Sequence, residues 1–456
     1  MDPLLELAAY LGNEHVATAA DRHVGWRADA AELRAALGRE LSLDGEDPAA
    51  VLRELAADAE PGLVTSQSPR YFGFVIGGVL PVARAADWMA VAWDQNAGGY
   101  SCSPSMAVVE ELAGGWAREL LGLPEGVSHG FTTGCQMAHV TGLAVARHAV
   151  LARAGWNVEE RGLNGAPALR VVVPADRHIT VDAAVRLIGI GLANLRPVAC
   201  DDQGRVIPAE LERELARDAG TPTIVTAQAG NVNTGSFEDF GAVCELAHAY
   251  GAWVHVDGAF GLWAGASERR RALTANVEQA DSWATDGHKT LNVPHDCGMV
   301  FVRDPDAHFQ TIAVDAHYLQ RGHDERNNGD WSPDFSRRAR ALPVYAALRT
   351  LGRRGVARLV DGLCDRAQEF AQILGSDTRA EVLNDVVFNQ VLVRFGDSDD
   401  VTNRVTAGIQ QDGTCWASAT EWRGRRALRI SVSNWATTSA DVERSAAAML
   451  AQVDAA

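Results

Sequence analysis

A lysine becomes useful for covalent chemistry when its neighbours hold it where a carbonyl carbon can reach it, and Lys289 has neighbours of the right kind. It stands in Asp281-Ser-Trp-Ala-Thr-Asp286-Gly-His288-Lys289-Thr. A His-Lys pair alone is usually solvated surface. Upstream, however, His-Val-Asp257-Gly-Ala259-Phe-Gly puts an acid at the end of an apolar run. Earlier still, His178 follows another apolar run in Ala-Asp-Arg-His178-Ile-Thr. The first piece in the chain, Gly130-Phe-Thr-Thr133-Gly134-Cys135-Gln136, is a small polar turn that opens into a helical pattern. Backbone N–H groups at such a helix start bind anions, phosphate above all. Singly, each piece has a plainer use: Asp257 could cap a helix, and the turn could be an ordinary helix start. Together they offer an amine, a carboxylate, a flat imidazole and an anion cradle.

These groups need a scaffold that brings them to one place. Residues 1–60 read as helices, with apolar residues at helical spacing in AAELRAALGREL and AAVLRELAADA. From 61 to 340, short β-rich runs (ALRVVVP, TPTIVTAQ, AWVHVDG, CGMVFVRD) alternate with helical stretches such as PAELERELARDA and DFGAVCELAHAYG. That alternation predicts an α/β fold with a mostly parallel sheet covered on both faces. Ligands of such sheets bind at the carboxyl ends of the strands. From 341 to 456 a long helical segment leads to VVFNQVLVRF and ALRISVSN, which predicts a smaller C-terminal α+β domain. Three parts are therefore expected: a helical segment 1–60, a large α/β domain 61–340 and a small domain 341–456. No internal repeat and no low-complexity linker interrupts them.

The 456-residue chain is 47% hydrophobic and 22% charged, an ordinary globular balance. Its 41 basic against 59 acidic residues leave a formal charge of −18, which argues against nucleic acid and anionic membrane surfaces as partners. Seven cysteines without a CxxC pair predict a reduced, cytoplasmic protein with neither a disulfide framework nor a zinc knuckle, so no metal is expected. The start, MDPLLELAAYLGNEH, lacks the basic region of a signal peptide. The most apolar stretch, Phe72–Trp93, is broken by Pro81, Arg84 and Asp87 and does not read as a membrane span.

Amine, acid, stacking imidazole and anion cradle are what pyridoxal 5'-phosphate asks of a protein. With these motifs in this order, the sequence resembles the pyridoxal-phosphate-dependent amino-acid decarboxylases of group II. That group includes the aromatic-amino-acid and glutamate decarboxylases and shares the fold of aspartate aminotransferase, fold type I. The resemblance runs from about Pro69 to the C-terminus. It implies that Lys289 carries the cofactor as a Schiff base, that Asp257 pairs with the pyridinium nitrogen, and that His178 stacks on the ring above Ala259. Cys135 and Gln136 stand where the family has a small residue and a serine. Their backbone N–H groups, with Gly134, would therefore hold the phosphate, helped by Thr133 and His288. Asn231 would meet the ring hydroxyl. Ser336, in Asp-Phe-Ser-Arg-Arg, would be lent to the phosphate by the neighbouring subunit of a homodimer, with residues 1–60 wrapping that partner. Asp286 takes a position often filled by asparagine, and an acid is awkward beside a phosphate.

The reaction implied is α-decarboxylation of an L-amino acid to an amine and CO2, through an external aldimine and a quinonoid. Arg429, in Ala-Leu-Arg-Ile-Ser, stands where relatives hold a substrate carboxylate, a role its bidentate fork suits as well as a structural salt bridge would. The segment Arg70-Tyr71-Phe72-Gly-Phe74 resembles a substrate wall, and Trp93, Gln95 and Asn96 fall in a pocket-lining region. Cys297 reads as packing. The stretch from Gln320 to Trp331 lacks the tyrosine that protonates the decarboxylated carbon in typical members, and Tyr318, just before it, reads as a wall residue. His323 is the only side chain there with an ordinary pKa near neutrality and is the candidate acid, for catalysis alongside Lys289 and His178. Rival outcomes on the same fold are an aldehyde-forming decarboxylase or oxidase, a C–C lyase and an aminotransferase. A cofactor-binding subunit without turnover is the rival from another class, and the full cofactor set argues against it. The substrate's side chain is not legible.

Overall fold

The computed structural model describes residues 2–314 and 325–454. The chain divides into two compact units. One comprises Met1–Gly78, Arg366–Leu383 and Val391–Ala456, and the other Val79–Asp365 with Asn384–Gln390.

Twelve strands are named here in chain order: β1 (Tyr71–Phe72), β2 (Ser128–Thr132), β3 (Arg170–Pro174), β4 (Leu195–Val198), β5 (Thr223–Gln228), β6 (Trp253–Asp257), β7 (Ser282–Asp286), β8 (Gly298–Val302), β9 (Ala380–Val382), β10 (Gln390–Phe395), β11 (Trp416–Trp422) and β12 (Arg425–Ser431). The larger unit is built on a seven-stranded sheet in the order β2-β8-β7-β6-β5-β3-β4. β8 runs antiparallel to both of its neighbours, and the remaining pairs are parallel. β3, β5, β6, β7 and β8 are buried along their whole length, which is why β3, β5, β6 and β8 read as largely apolar runs. Trp253, Trp283 and Phe301 fill the layers between sheet and helices.

The smaller unit carries a five-stranded sheet in the order β1-β11-β12-β10-β9. The N-terminal segment belongs to this unit because buried Arg70 ties it there. Its Nη2 donates to Ala20 O (2.6 Å), its Nε to Thr414 O (2.7 Å), and its Nη1 lies 3.2 Å from Asp441 Oδ1. β1 then pairs in parallel with β11. The helical run Ala341–Gly375 is broken at Gly352, whose φ of 59° only glycine adopts readily, and its first part stays with the larger unit. The helices Pro3–Ala17, Ala30–Leu37 and Pro48–Ala59 contain no buried residue. No helix among the described residues is long and apolar enough to cross a membrane.

Candidate active site

Five strands of the larger unit end on the same edge of the sheet, each followed at once by residues the sequence marks as chemical. β2 runs into the turn Thr133–Gly134 and the helix Cys135–Arg153, β3 into His178, β5 into Asn231, β6 ends on Asp257, and β7 ends on Asp286 just before Lys289. Every parallel strand's carboxyl end faces one side, so groups far apart in sequence meet there.

Lys289 Nζ lies 3.1 Å from Asp286 Oδ2. Burial alone would lower the ammonium, but Asp286, with help from Asp257, raises it above the ordinary lysine value. Asp257 is buried, and its carboxylate is well supplied with donors. Oδ1 accepts from Ala259 N (3.1 Å) and, more weakly, from the Cys135 thiol (4.0 Å), while Oδ2 faces His139 Nε2 at 3.4 Å. Burial would push this carboxyl up, yet His139, then His178 and Lys289, hold it well below the usual carboxylate range. His178 caps the helix Ile179–Leu187, with its Nδ1 2.7 Å from Thr180 Oγ1, and so presents the rest of its half-buried ring to the edge.

The helix start that should cradle a phosphate holds an anion of the protein's own. Cys135 N donates to Asp286 Oδ1 at 2.6 Å. An acid at a helix N-terminus is favourable, and this one also faces the ammonium of Lys289. His288 Nδ1 accepts from Cys297 N (3.2 Å), which leaves the ring proton on Nε2, 3.6 Å from Asp286 Oδ1. Burial lowers the His288 pKa, so the ring acts as a neutral donor. Gly298 packs against the turn so closely that a Cβ there would lie 2.4 Å from Gly134 C. The residues therefore fit pyridoxal phosphate: an amine, an ionised acid and a helix start that demonstrably takes an anion. Asp286 is the departure, since its carboxylate uses the N–H expected for phosphate.

The other expected residues are placed as follows. Asn231 is buried, and its amide holds a turn, donating to Asp176 O (3.0 Å) and accepting from Asn233 N (2.9 Å) and Thr234 N (3.2 Å). Gln136 is exposed, Thr133 and Ala259 are half-buried, and Ser336 is exposed. In the smaller unit, Tyr71 stacks on Trp416 (5.4 Å) and Phe72 packs edge-on to Phe370 (5.0 Å), both in the core, whereas Phe74 is exposed. Arg429 there has a buried Nε without a hydrogen-bond partner, and burial pushes its guanidinium down to about 10. Trp93, on the larger unit, is exposed. Cys297 is buried, as packing requires. His323 and Tyr318 lie outside the described residues.

Sequence reasoning missed His139, His255 and Ser282, which stand behind Asp257. The sequence carries only a partial signal: His139 lies four residues after Cys135 on one helix face and His255 two residues before Asp257 on one strand face, but neither spacing says that the two rings meet.

A lysine on the connection out of β7, set against an acid at the end of β6, is the arrangement of a fold type I pyridoxal-phosphate enzyme. The solved structure of the rice enzyme described as Oryza sativa TDC with PLP and tryptamine superposes with a TM-score of 0.92 at 23% identity, covering 99% of this chain and 97% of that one. That of Rhodiola rosea 4-hydroxyphenylacetaldehyde synthase superposes with a TM-score of 0.89 at 19% identity, covering 99% and 97%. Residues 31–395 match the pyridoxal-dependent decarboxylase conserved domain, and the chain belongs to that family. It is 25% identical over 426 residues to the aromatic-L-amino-acid decarboxylase of Bacillus atrophaeus, a span of 90% of this chain and 86% of that protein. The protein is a pyridoxal-phosphate-dependent amino-acid decarboxylase.

Proposed function

We propose that this enzyme removes the α-carboxylate of an L-amino acid as CO2 and releases the amine, working in the cytoplasm as a homodimer. The observation that carries this reading is that half-buried Lys289 and buried, ionised Asp257 stand on one sheet edge beside an anion-holding helix start. When bound, the cofactor supplies an aldehyde for the substrate's amine and an electron sink for the pair left behind by CO2.

The chain's own residues divide the remaining work. Lys289 must lose a proton to act as a nucleophile, and Asp286, 3.1 Å away, opposes that loss until it turns to another partner. Ionised Asp257 would take the ring nitrogen, and His178 would offer its flat face to the ring, with Ala259 alongside. The N–H groups of Gly134 and Gln136, and that of Cys135 once Asp286 releases it, would hold the phosphate with Thr133 and the Nε2–H of His288. Asn231 would meet the ring hydroxyl with its remaining N–H. Arg429 is half-buried, and its buried Nε has no hydrogen-bond partner among the described residues, so it suits a substrate carboxylate. Phe74 in the smaller unit and Trp93 in the larger are exposed aromatic side chains available to a substrate, and Tyr71 and Phe72 are core residues of the smaller unit. Homodimerisation, with Ser336 given in trans, is supported by the three N-terminal helices, which leave Leu5, Tyr10 and Leu55 in water.

A second reading is favoured by the stretch from Gln320 to Trp331, which contains no tyrosine. Without a prompt proton donor, part of the flux reacts with O2 and leaves as aldehyde, ammonia and peroxide, with His323 the candidate donor that limits this. One assay separates the two. The twenty amino acids are screened while CO2, amine, aldehyde and peroxide are measured together. Amine equal to CO2 is the expected result; aldehyde and peroxide equal to CO2 would overturn it. His323→Phe should slow amine formation and raise the aldehyde fraction.

A further inference from the structure

Behind Asp257 lies a line of buried polar groups that no step above uses, hydrogen-bonded from Trp253 to His139 and reaching the carboxylate across a 3.4 Å contact. Asp257 Oδ2 faces His139 Nε2 at 3.4 Å, and His139 Nδ1 faces His255 Nε2 at 2.9 Å. His255 Nδ1 lies 2.8 Å from Ser282 Oγ, which accepts from Trp253 Nε1 at 2.9 Å. His139, His255 and Ser282 are wholly buried. We propose that Trp253, Ser282, His255 and His139 form a one-directional hydrogen-bond chain that sets the orientation and the charge of the carboxylate offered to the cofactor's ring nitrogen. This rests on the reading that Asp257 meets that nitrogen. His139 and His255 are positioning residues.

The direction follows from counting protons. An indole N–H can only donate, and a neutral imidazole has one donor and one acceptor. If the serine hydroxyl donates to His255 Nδ1, then His255 Nε2–H donates to His139 Nδ1. His139 Nε2–H is then left for Asp257, which must accept and is ionised. Every proton has a partner. If the chain ran the other way, a protonated Asp257 would donate to His139, and His255 would donate to Ser282. The serine oxygen would then take two donors, and its own proton would have no acceptor in a dry site. A buried donor left unpaired costs about tenfold or more in population. The tryptophan at the far end therefore selects the anion at the near end. Because that terminus cannot release its proton, the chain polarises Asp257 without conducting a proton away.

Three further observations agree. Burial, then His139, lowers the His255 pKa to about 3, so the ring between the serine and His139 is neutral. The helix Cys135–Arg153 leaves a slot for that ring at Gly142, where a Cβ would lie 2.7 Å from His255 Cε1. Cys135 Sγ, 3.4 Å from His139 Nε2, lies close enough to make a thiolate metal site with His139 and Asp257. Burial, with Asp286 and Asp257 alongside, instead pushes that thiol well above its ordinary value, so it is a protonated donor. The charged and titratable groups facing Asp257 are His139, His178, Lys289, Cys135 and, one place further back, His255.

The test begins on the wild-type apoprotein, with histidine nitrogens observed by 15N NMR. His255 should be neutral, and the neutral form of each ring should carry its proton on Nε2 between pH 6 and 9; an Nδ1–H tautomer of either ring would overturn the proposal. Ser282→Ala, His255→Leu and Gly142→Ala are then loaded with cofactor. Each should bring a pH-dependent change of the bound cofactor's absorption into that range and lower kcat by about tenfold to a hundredfold, with KM little altered. If all three keep the wild-type spectrum and kcat while Asp257→Asn loses both, the chain has no role and the reading of Asp257 stands. If Asp257→Asn itself matches the wild type, that reading fails instead.

Discussion

Asp286 makes two favourable interactions that phosphate would disturb. Its carboxylate closes the N-terminus of the helix Cys135–Arg153 and pairs with Lys289. The raised pKa of Lys289 means that the ammonium persists to higher pH than usual, so capture of an aldehyde is slowed at neutral pH. Asp286→Asn removes that carboxylate and one negative charge near the phosphate. Cofactor capture by the apoenzyme, followed by absorbance between pH 6 and 9, should become faster, with its midpoint at lower pH. Lys289→Ala should abolish capture: borohydride fixes the cofactor to one peptide of the wild type and to none of the variant. A labelled peptide that does not contain Lys289 would refute the assignment.

At the scale of elements, buried polar pairs decide how the edge is held. Arg337 and Glu110 are both almost fully buried, 2.6 Å apart, and Arg337 Nη1 also donates to Phe131 O (2.8 Å) in β2. The pair joins the segment that carries Ser336 to the helix Pro104–Leu120 and to β2. Removing one partner of such a pair typically costs about 3–5 kcal/mol, and Glu110→Ala should lose that much in urea unfolding. Gly298→Ala would push the Gly134 turn and should raise the dissociation constant of the cofactor more than it lowers stability. Glu238 supplies a pH dependence. It is buried, accepts from Val206 N (2.7 Å), and burial pushes its pKa to about 8. Between about pH 4.5 and 8 the folded state holds a proton that the unfolded state has lost, so this group reduces stability as pH rises through that window. Glu238→Gln should therefore raise the melting temperature more at pH 8 than at pH 5.

Much of this architecture is legible in the sequence, and the exceptions have physical causes. β3, β5, β6 and β8 announce themselves because strands buried on both faces must be apolar. β2 and β7, Ser128–Thr132 and Ser282–Asp286, carry polar residues whose bonds are made inside the fold, so their composition hides them. Lys289, Asp257 and the cradle could be read because a cofactor demands particular chemical types in order. The hydrogen-bond line behind Asp257 could not be read from motif matching, since histidines and a serine on three elements acquire meaning only once the sheet aligns β6 with β7.

For the whole molecule, apolar side chains left in water on the N-terminal helices set the expectation for assembly. Light scattering should report twice the 48.7 kDa chain mass, and an active monomer at working concentration would refute the shared site. The reversed strand β8 has a consequence of another kind. β2 pairs only with β8 in the sheet, and β8 is the last of the seven strands to leave the ribosome. During synthesis, therefore, β2 and the turn after it wait unpaired while the five strands between them in sequence are made. A nascent chain arrested just after Lys289 already contains the nucleophile and the acid but has no wall between β2 and β7. Cofactor capture thus becomes possible only late in translation, and until then the bare margins of β2 and β7 are the surfaces a chaperone has most reason to cover.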